Sequence, residues 1–272
     1  MKTVLWFLYL AAFLLASVPI LLLLLLSDAF GGTGFSQQTS QFVVQLWARS
    51  LCAVAGVQYA VSGQENLPEG GFLMVSNHQG YFDIPILLSA TDRLFGFVAK
   101  SSVRFIPVIG SWMRRIHCVS INREDPRGAM ATLLDSCVPT LKAGHAVCIF
   151  PEGTRSRGET MRPFKKGAFV TAKAAGVPIV PVLIEGSYRI WETSPGGIRR
   201  AHVLVQFLPP IDPTQLTDEQ YQMLPIQLHK QMSVQLATLR RELAQQLSAE
   251  QERDRQRTWR NQHVGDSGRD RS

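Results

Sequence analysis

The apolar positions of this chain fall into three patterns. Near the start, residues 3–26 carry no charged side chain, are almost wholly apolar and end in the run Leu21 to Leu26. At about 1.5 Å rise per residue, a helix over this stretch is about 36 Å long, enough to cross a hydrocarbon core with some tilt. A cleavable signal has a shorter apolar region and a small-x-small site, whereas here the leucines run into Ser27 and Asp28. The pattern therefore predicts a transmembrane anchor over residues 1–27, with Pro19 tolerated as membrane helices tolerate it. A second stretch, 40–61, is apolar but broken by Gln45, Arg49, Gly56 and Gln58. It predicts an amphipathic or interfacial helix rather than a second span.

The middle of the chain alternates. Apolar runs at 72–76, 94–99, 117–121, 146–150, 177–184 and 202–208 have strand length, and stretches at 84–90, 127–143 and 165–175 have helical spacing. This predicts an α/β class: a single domain, 62–247, with a mixed sheet covered by helices and preceded by an N-terminal membrane anchor helix. Pro178 and Pro181 in the fifth run argue for an edge strand or an unusual local geometry. From Tyr221 to Leu247 the period is helical, with Leu224, Leu228, Met232, Leu236, Leu239 and Leu243 on one face, a helix covering the domain. Residues 248–272 alternate charges and end in Gly, Asp, Arg and Ser, which predicts a disordered tail.

Charge narrows the partners. A formal net charge of +7 favours anionic ones. No nucleic-acid motif or aromatic–basic interleaving is present, so a membrane surface and phosphorylated small molecules fit better than nucleic acid. The four cysteines, Cys52, Cys118, Cys137 and Cys148, lie scattered in apolar contexts without metal-type spacing, and are expected to be reduced and buried.

The chemistry concentrates in two places. Asn77-His78-Gln79-Gly80-Tyr81-Phe82-Asp83 follows an apolar run. Histidine is the side chain best placed to take a proton near neutral pH, and a carboxylate fixes its tautomer. On a continuous helix, positions i and i+5 lie roughly 140° apart, so His78 and Asp83 meet only if the chain turns between them. Asn77 and Gly80 supply turn residues, and Pro85 suits a first helical turn, so the pair belongs at a strand-to-helix junction. The alternative is a helix-capping Asp83 beside a loop histidine. His117, His145, His202, His229 and His263 have no comparable company. Phe150-Pro151-Glu152-Gly153-Thr154-Arg155-Ser156 forms the second place, where Pro151 ends a strand and Arg155 projects from a Gly-containing turn, able to grip an anion with two parallel hydrogen bonds. Arg123, after Val119-Ser120-Ile121-Asn122, offers a second guanidinium, and Arg157, Arg162, Lys165 and Lys166 crowd the same region.

Together these residues resemble the lysophosphatidate acyltransferases, the 1-acyl-sn-glycerol-3-phosphate acyltransferase family of glycerophospholipid acyltransferases. That family's blocks occur in order: Asn-His-x-x-x-x-Asp at Asn77, His78 and Asp83; an arginine after an apolar run at Ser120–Arg123; Phe-Pro-Glu-Gly-Thr-Arg-Ser at Phe150–Ser156; and Val-Pro-Ile-Val-Pro-Val at Val177–Val182. Ala99-Lys100, Pro107 and Gly110 look like the stretch between the first two blocks. Ser-Ile-Asn-Arg stands where the family often has Phe-Ile-Asp-Arg. The resemblance implies acyl transfer without a covalent enzyme intermediate. His78 would be the general base on a lysolipid hydroxyl and Asp83 its orienting partner. Arg155 and Arg123, with Lys100, would hold the acceptor's phosphate, in a pocket shaped by Glu152, Gly153 and Thr154. It implies no cofactor and no metal, with acyl-CoA or acyl-carrier protein as co-substrate, membrane lipids as surroundings and the catalytic domain on the cytoplasmic face. An acyltransferase using another lysophospholipid or a lyso-aminolipid is the near alternative. A membrane-anchored phosphohydrolase built on His78, Asp83, Glu152 and a metal is a distant one.

Overall fold

The structure, a computed structural model, describes residues 2–264. Two helices come first, α1 (Lys2–Ala29) and α2 (Thr33–Ala55), packed against each other as a hairpin. Gly56, in the left-handed conformation, ends α2 by donating to the Ala53 carbonyl. The interfacial helix expected over 40–61 therefore starts earlier and stops earlier. Val57–Ser62 is strand β1, where alternation replaces helical spacing.

The remaining elements are β2 (Leu73–Ser76), α3 (Asp83–Ser89), β3 (Phe95–Lys100), α4 (Ile109–Arg115), β4 (Val119–Ile121), α5 (Pro126–Thr132), α6 (Val138–Lys142), β5 (Ala146–Ile149), α7 (Gly167–Ala175), β6 (Ile179–Glu185), β7 (Ala201–Phe207) and α8 (Asp218–Val264). A π-helical turn, Leu133–Cys137, joins α5 to α6 and makes one interrupted helix of the expected 127–143 stretch. α8 runs through most of the expected tail, because Gln, Glu, Arg and Ala extend an existing helix at little cost. The last part of that tail, 265–272, lies outside the described residues.

Among the described residues, seven strands form one mixed sheet in the order β1-β7-β6-β2-β5-β3-β4. β6, β2, β5, β3 and β4 run parallel; β7 is antiparallel to β6, and β1 is parallel to β7. β6 is thus interior, not an edge. Its Pro181 is accommodated where the ladder to the next segment is interrupted: Ile179 bridges Ile211, Leu208 donates to the Pro181 carbonyl, and regular pairing begins at Val182↔Phe207.

Strand alternation sends side chains into two cores. Phe72, Met74, Cys148, Val180 and Val182 pack under α1–α4, while Leu73, Val75, Val147, Ile179 and Leu183 pack under the π-helical turn and α6–α8. The result is a sheet between two helical layers, with the parallel strands β2–β6 opening their carboxyl ends along one rim.

α1 is long and apolar enough to cross a membrane. It does not project from the domain. Thr3 Oγ1 accepts from the Ile198 amide, Trp6 Nε1 donates to the Leu51 carbonyl, Ser17 Oγ accepts from Trp112 Nε1, and Asp28 pairs with Arg115 at 2.7 Å. The helix therefore lies along the domain from end to end, with Leu8, Leu15, Leu22, Leu23, Leu25 and Leu26 turned outward.

Candidate active site

The carboxyl ends of β2, β3, β4, β5 and β6 bring the sequence motifs to one rim, where open α/β sheets place their ligands. His78 follows β2, Lys100 ends β3, Arg123 follows β4 and Glu152–Arg155 follow β5. The stacked pair His117 and His145, with ring centroids 3.7 Å apart, precedes β4 and β5 and so lies at the opposite end of the sheet.

The bend between β2 and α3 carries His78 back onto Asp83. His78 Nδ1 lies 2.7 Å from Asp83 Oδ2, and both side chains are buried. The same oxygen accepts from the Gly80 amide at 2.9 Å, and the Ser187 hydroxyl donates to Asp83 Oδ1. Asp83 stands in the first turn of α3 but spends its oxygens backward and across the sheet, so the capping alternative does not describe it. A negative carboxylate on Nδ1 fixes the tautomer that leaves Nε2 as the acceptor. Nε2 has no hydrogen-bond partner among the described residues. The ring stacks on Phe150, with centroids 3.9 Å apart and planes 14° from parallel, so it is held on its face as well as its edge.

The backbone of His78 is clamped too. Its amide donates to Glu152 Oε1 at 2.7 Å, and its carbonyl accepts from the Ser156 amide at 2.7 Å. Glu152 Oε2 accepts from the Arg162 amide at 2.8 Å. Glu152, expected to line the acceptor pocket, thus spends both oxygens on backbone and ties the two motif loops together. Burial pushes its carboxyl up to about 7 against the pull of the two amides. Asn77 ties the β2 turn to β6: its side chain exchanges two 2.8 Å hydrogen bonds with the Ile184 backbone, as a strand neighbour would.

Arg155 reaches toward the dyad loop. Its guanidinium lies over the Tyr81 ring, 3.5 Å from the centroid, and pairs with Glu192 at 3.1 Å. Glu192 Oε1 also accepts from the Tyr81 amide at 2.8 Å, while its buried Oε2 has no partner. A β-carbon on Gly80 would come within 2.5 Å of that Oε2, so a larger residue there would have to displace the Glu192 carboxylate. Arg123 is near enough to feel Arg155: burial first, then the Arg155 charge, pulls its guanidinium below its ordinary range. Of the two guanidiniums, Arg155 is the one paired with Glu192. Gly153 has φ +75°, and Lys165 Nζ lies only 2.7 Å from where its β-carbon would be, so the turn brings a third cation onto the loop. Lys100 instead pairs with Glu124 at 3.3 Å near the surface, and Thr154 is exposed.

Other nucleophiles and metal ligands are poorly placed. Burial first, then the Asp83 and Cys118 charges, pushes the Cys148 thiol well above its ordinary range. Among the described residues, no group of three or more His, Cys, Asp or Glu is arranged to hold a metal ion.

The residues that sequence reasoning missed are Ser187, Gln79, Glu185 and Glu192. Gln79 lies inside the first motif and Ser187 just beyond the fourth block, but no local pattern marks Glu192.

The rim gathers basic side chains around an Asp-held histidine on a mixed sheet between helices, and the sequence model of the Acyltransferase family matches residues 58–185. A chloroplastic 1-acyl-sn-glycerol-3-phosphate acyltransferase of Brassica napus is 38% identical over 166 residues, which cover 60% of this chain and 47% of its own. The 1-acyl-sn-glycerol-3-phosphate acyltransferase of Escherichia coli is 32% identical over 183 residues, covering 66% of this chain and 73% of its own. The crystal structure of the 1-acyl-sn-glycerophosphate (LPA) acyltransferase from Thermotoga maritima superposes with a TM-score of 0.66 at 23% identity, covering 87% of this chain and 98% of that one, and so shares the fold. The chain belongs to the 1-acyl-sn-glycerol-3-phosphate acyltransferase family. It spans about half the length of the plant relatives it matches.

Proposed function

We propose that this chain transfers a fatty acyl group from an acyl thioester, acyl-CoA or acyl-carrier protein, to the free sn-2 hydroxyl of 1-acyl-glycerol-3-phosphate, giving phosphatidic acid for phospholipid synthesis. The observation that carries the proposal is the pairing of an Asp-oriented His78 with an under-neutralised pair of guanidiniums on the same rim. His78 Nε2 takes the hydroxyl proton as the acceptor oxygen attacks the thioester carbonyl. The C–S bond breaks, and the departing thiolate takes the proton from the imidazolium. Asp83 stabilises that imidazolium without being protonated itself. No nucleophilic serine or cysteine takes part.

Arg155 and Arg123 hold the acceptor's phosphate, an anion that answers two neighbouring guanidiniums. Lys165, over Gly153, adds to that field. General base catalysis contributes about 10²–10⁴-fold, and orientation of the two substrates at least as much.

The acceptor is a lipid, and the outward leucines of α1 suit a bilayer. Because both ends of α1 touch the domain, the α1–α2 hairpin attaches the enzyme along the membrane surface. The cytoplasmic face follows from the cytosolic donor and the basic domain.

Purified protein supplied with labelled acyl-CoA and a panel of lysolipids tests the proposal. Phosphatidic acid from lysophosphatidate, abolished by His78→Ala, is expected. Transfer only to other lysolipids would move the activity elsewhere in the family, and no transfer to any acceptor would overturn it.

A further inference from the structure

Asp83 Oδ1 is held by a hydroxyl from outside the recognised motifs, and a buried chain of polar groups continues behind it to the last helix. Gln79, next to His78, accepts from the Gly186 amide at 3.0 Å through Oε1 and donates to Glu185 Oε2 at 3.1 Å through Nε2. Ser187 Oγ lies within 3.3 Å of the same Gln79 oxygen. Its single proton goes to the nearer, charged acceptor, Asp83. Gln79, Asp83, Glu185 and Ser187 are all buried. Arg240 of α8 closes the chain: Nε and Nη2 approach the two Glu185 oxygens at 3.2 Å and 3.1 Å, and Nη2 also donates to the Glu159 carbonyl at 2.8 Å. Arg189 adds a further contact to Glu185 at 3.3 Å.

The physics makes this more than a helix tether. A fully buried carboxylate such as Glu185 is costly unless paired and hydrogen-bonded. Arg240 supplies a two-point partner, and Glu185 in turn fixes which way the Gln79 amide faces. With the amide oxygen toward Gly186 and Ser187, the turn that carries the Ser187 hydroxyl is locked under Asp83.

We propose that Ser187 is a positioning residue for the His78–Asp83 pair, held in place through Gln79 and Glu185 by Arg240 of α8. Ser187 and Arg240 both lie beyond residues 58–185, the span of the family match. The C-terminal helix, read from its pattern as a cover, thereby becomes part of the apparatus that aims the base.

This rests on the acyl-transfer reading for its kinetic test, so a second readout is independent of activity. Ser187→Ala, Arg240→Ala and Arg240→Lys are compared with wild type, using acyl-CoA and lysophosphatidate. Ser187→Ala is expected to lower kcat about tenfold, with acceptor KM nearly unchanged, since it disturbs orientation and not binding. Arg240→Ala is expected to do the same, and Arg240→Lys to recover part of the loss. The second readout is the downfield proton NMR signal of the His78 Nδ1–H bond, identified by its absence in His78→Ala. Both alanine variants are expected to shift it. If wild type transfers no acyl group, the function falls while the NMR signal still decides the relay. An unshifted signal and unchanged kcat in Ser187→Ala would overturn the proposal, even if Arg240→Ala fails to fold.

Discussion

The loops after β2 and β5 are built alike and charged oppositely. Each leaves the carboxyl end of a parallel strand, turns on a glycine and aims one ionisable side chain at the rim. The β2 loop is complete as it stands. Asp83 has three donors, His78 Nδ1, the Gly80 amide and the Ser187 hydroxyl, and His78 is clamped at its amide, its carbonyl and its ring face. The Arg155 side chain of the β5 loop has fewer partners. Arg155 pairs with Glu192 and lies over the Tyr81 ring, and its charge helps to pull the Arg123 guanidinium down. On the proposed function, the first loop is a base already in position and the second a clamp that the acceptor's phosphate completes.

The strongest way to break this comparison is to remove the base. His78→Ala should lower kcat by about 10²–10⁴-fold while acceptor KM changes little, because the phosphate is held elsewhere. A large rise in KM with unchanged kcat, measured in steady-state acyl transfer, would show that the loops do not divide the labour this way.

Glu152, which joins the loops, provides a test of stability. Its folded carboxyl titrates at about 7 against an ordinary value of 4.5. The folded state therefore holds more protons than the unfolded state between those values, so stability is fully present below about pH 4.5 and is lost as pH rises through about 7. The loss amounts to up to about 3 kcal/mol. Glu152→Gln should remove this dependence, and denaturant midpoints measured from pH 4 to 8 check it. Parallel curves for the two proteins would contradict the assignment.

On the clamp side, Arg155→Ala should raise acceptor KM about 10–100-fold, as expected from losing a charge-assisted contact worth about 1.5–3 kcal/mol. kcat should fall less, and Arg155→Lys should restore only part of the affinity, since a point charge lacks the fork. The smallest effect sharpens the picture most. Glu192→Gln keeps an acceptor for the Tyr81 amide and removes the anion that competes for Arg155. Acceptor KM should fall about 2–5-fold, the scale of a modest ion pair. A rise would mean that Glu192 aims Arg155 more than it competes for it.

Much of this was legible in the chain. The apolar runs predicted β2 to β7 within a few residues, because strand and helix periods are local. The bend between His78 and Asp83 followed from an interval that no continuous helix could close. β1 was hidden because its alternation begins straight after a helix, at Gly56. The interior place of β6 was hidden because Pro181 argues for an edge unless the neighbouring ladder is known to be interrupted there.

What the sequence determined by itself was chemistry and order: a histidine and a carboxylate at a strand end, arginines after two further strands, and an apolar helix at the start. Those depend on neighbours along the chain. The tertiary structure alone decided which groups complete them. Ser187 meets Asp83 across 104 residues, Glu192 meets Tyr81 across 111, and Thr3 meets Ile198 across 195. Such contacts depend on strand order and on how α1 and α8 lie against the sheet. Neither leaves a local pattern, because a hydrogen bond needs only two groups brought within about 3 Å, whatever the length of chain between them.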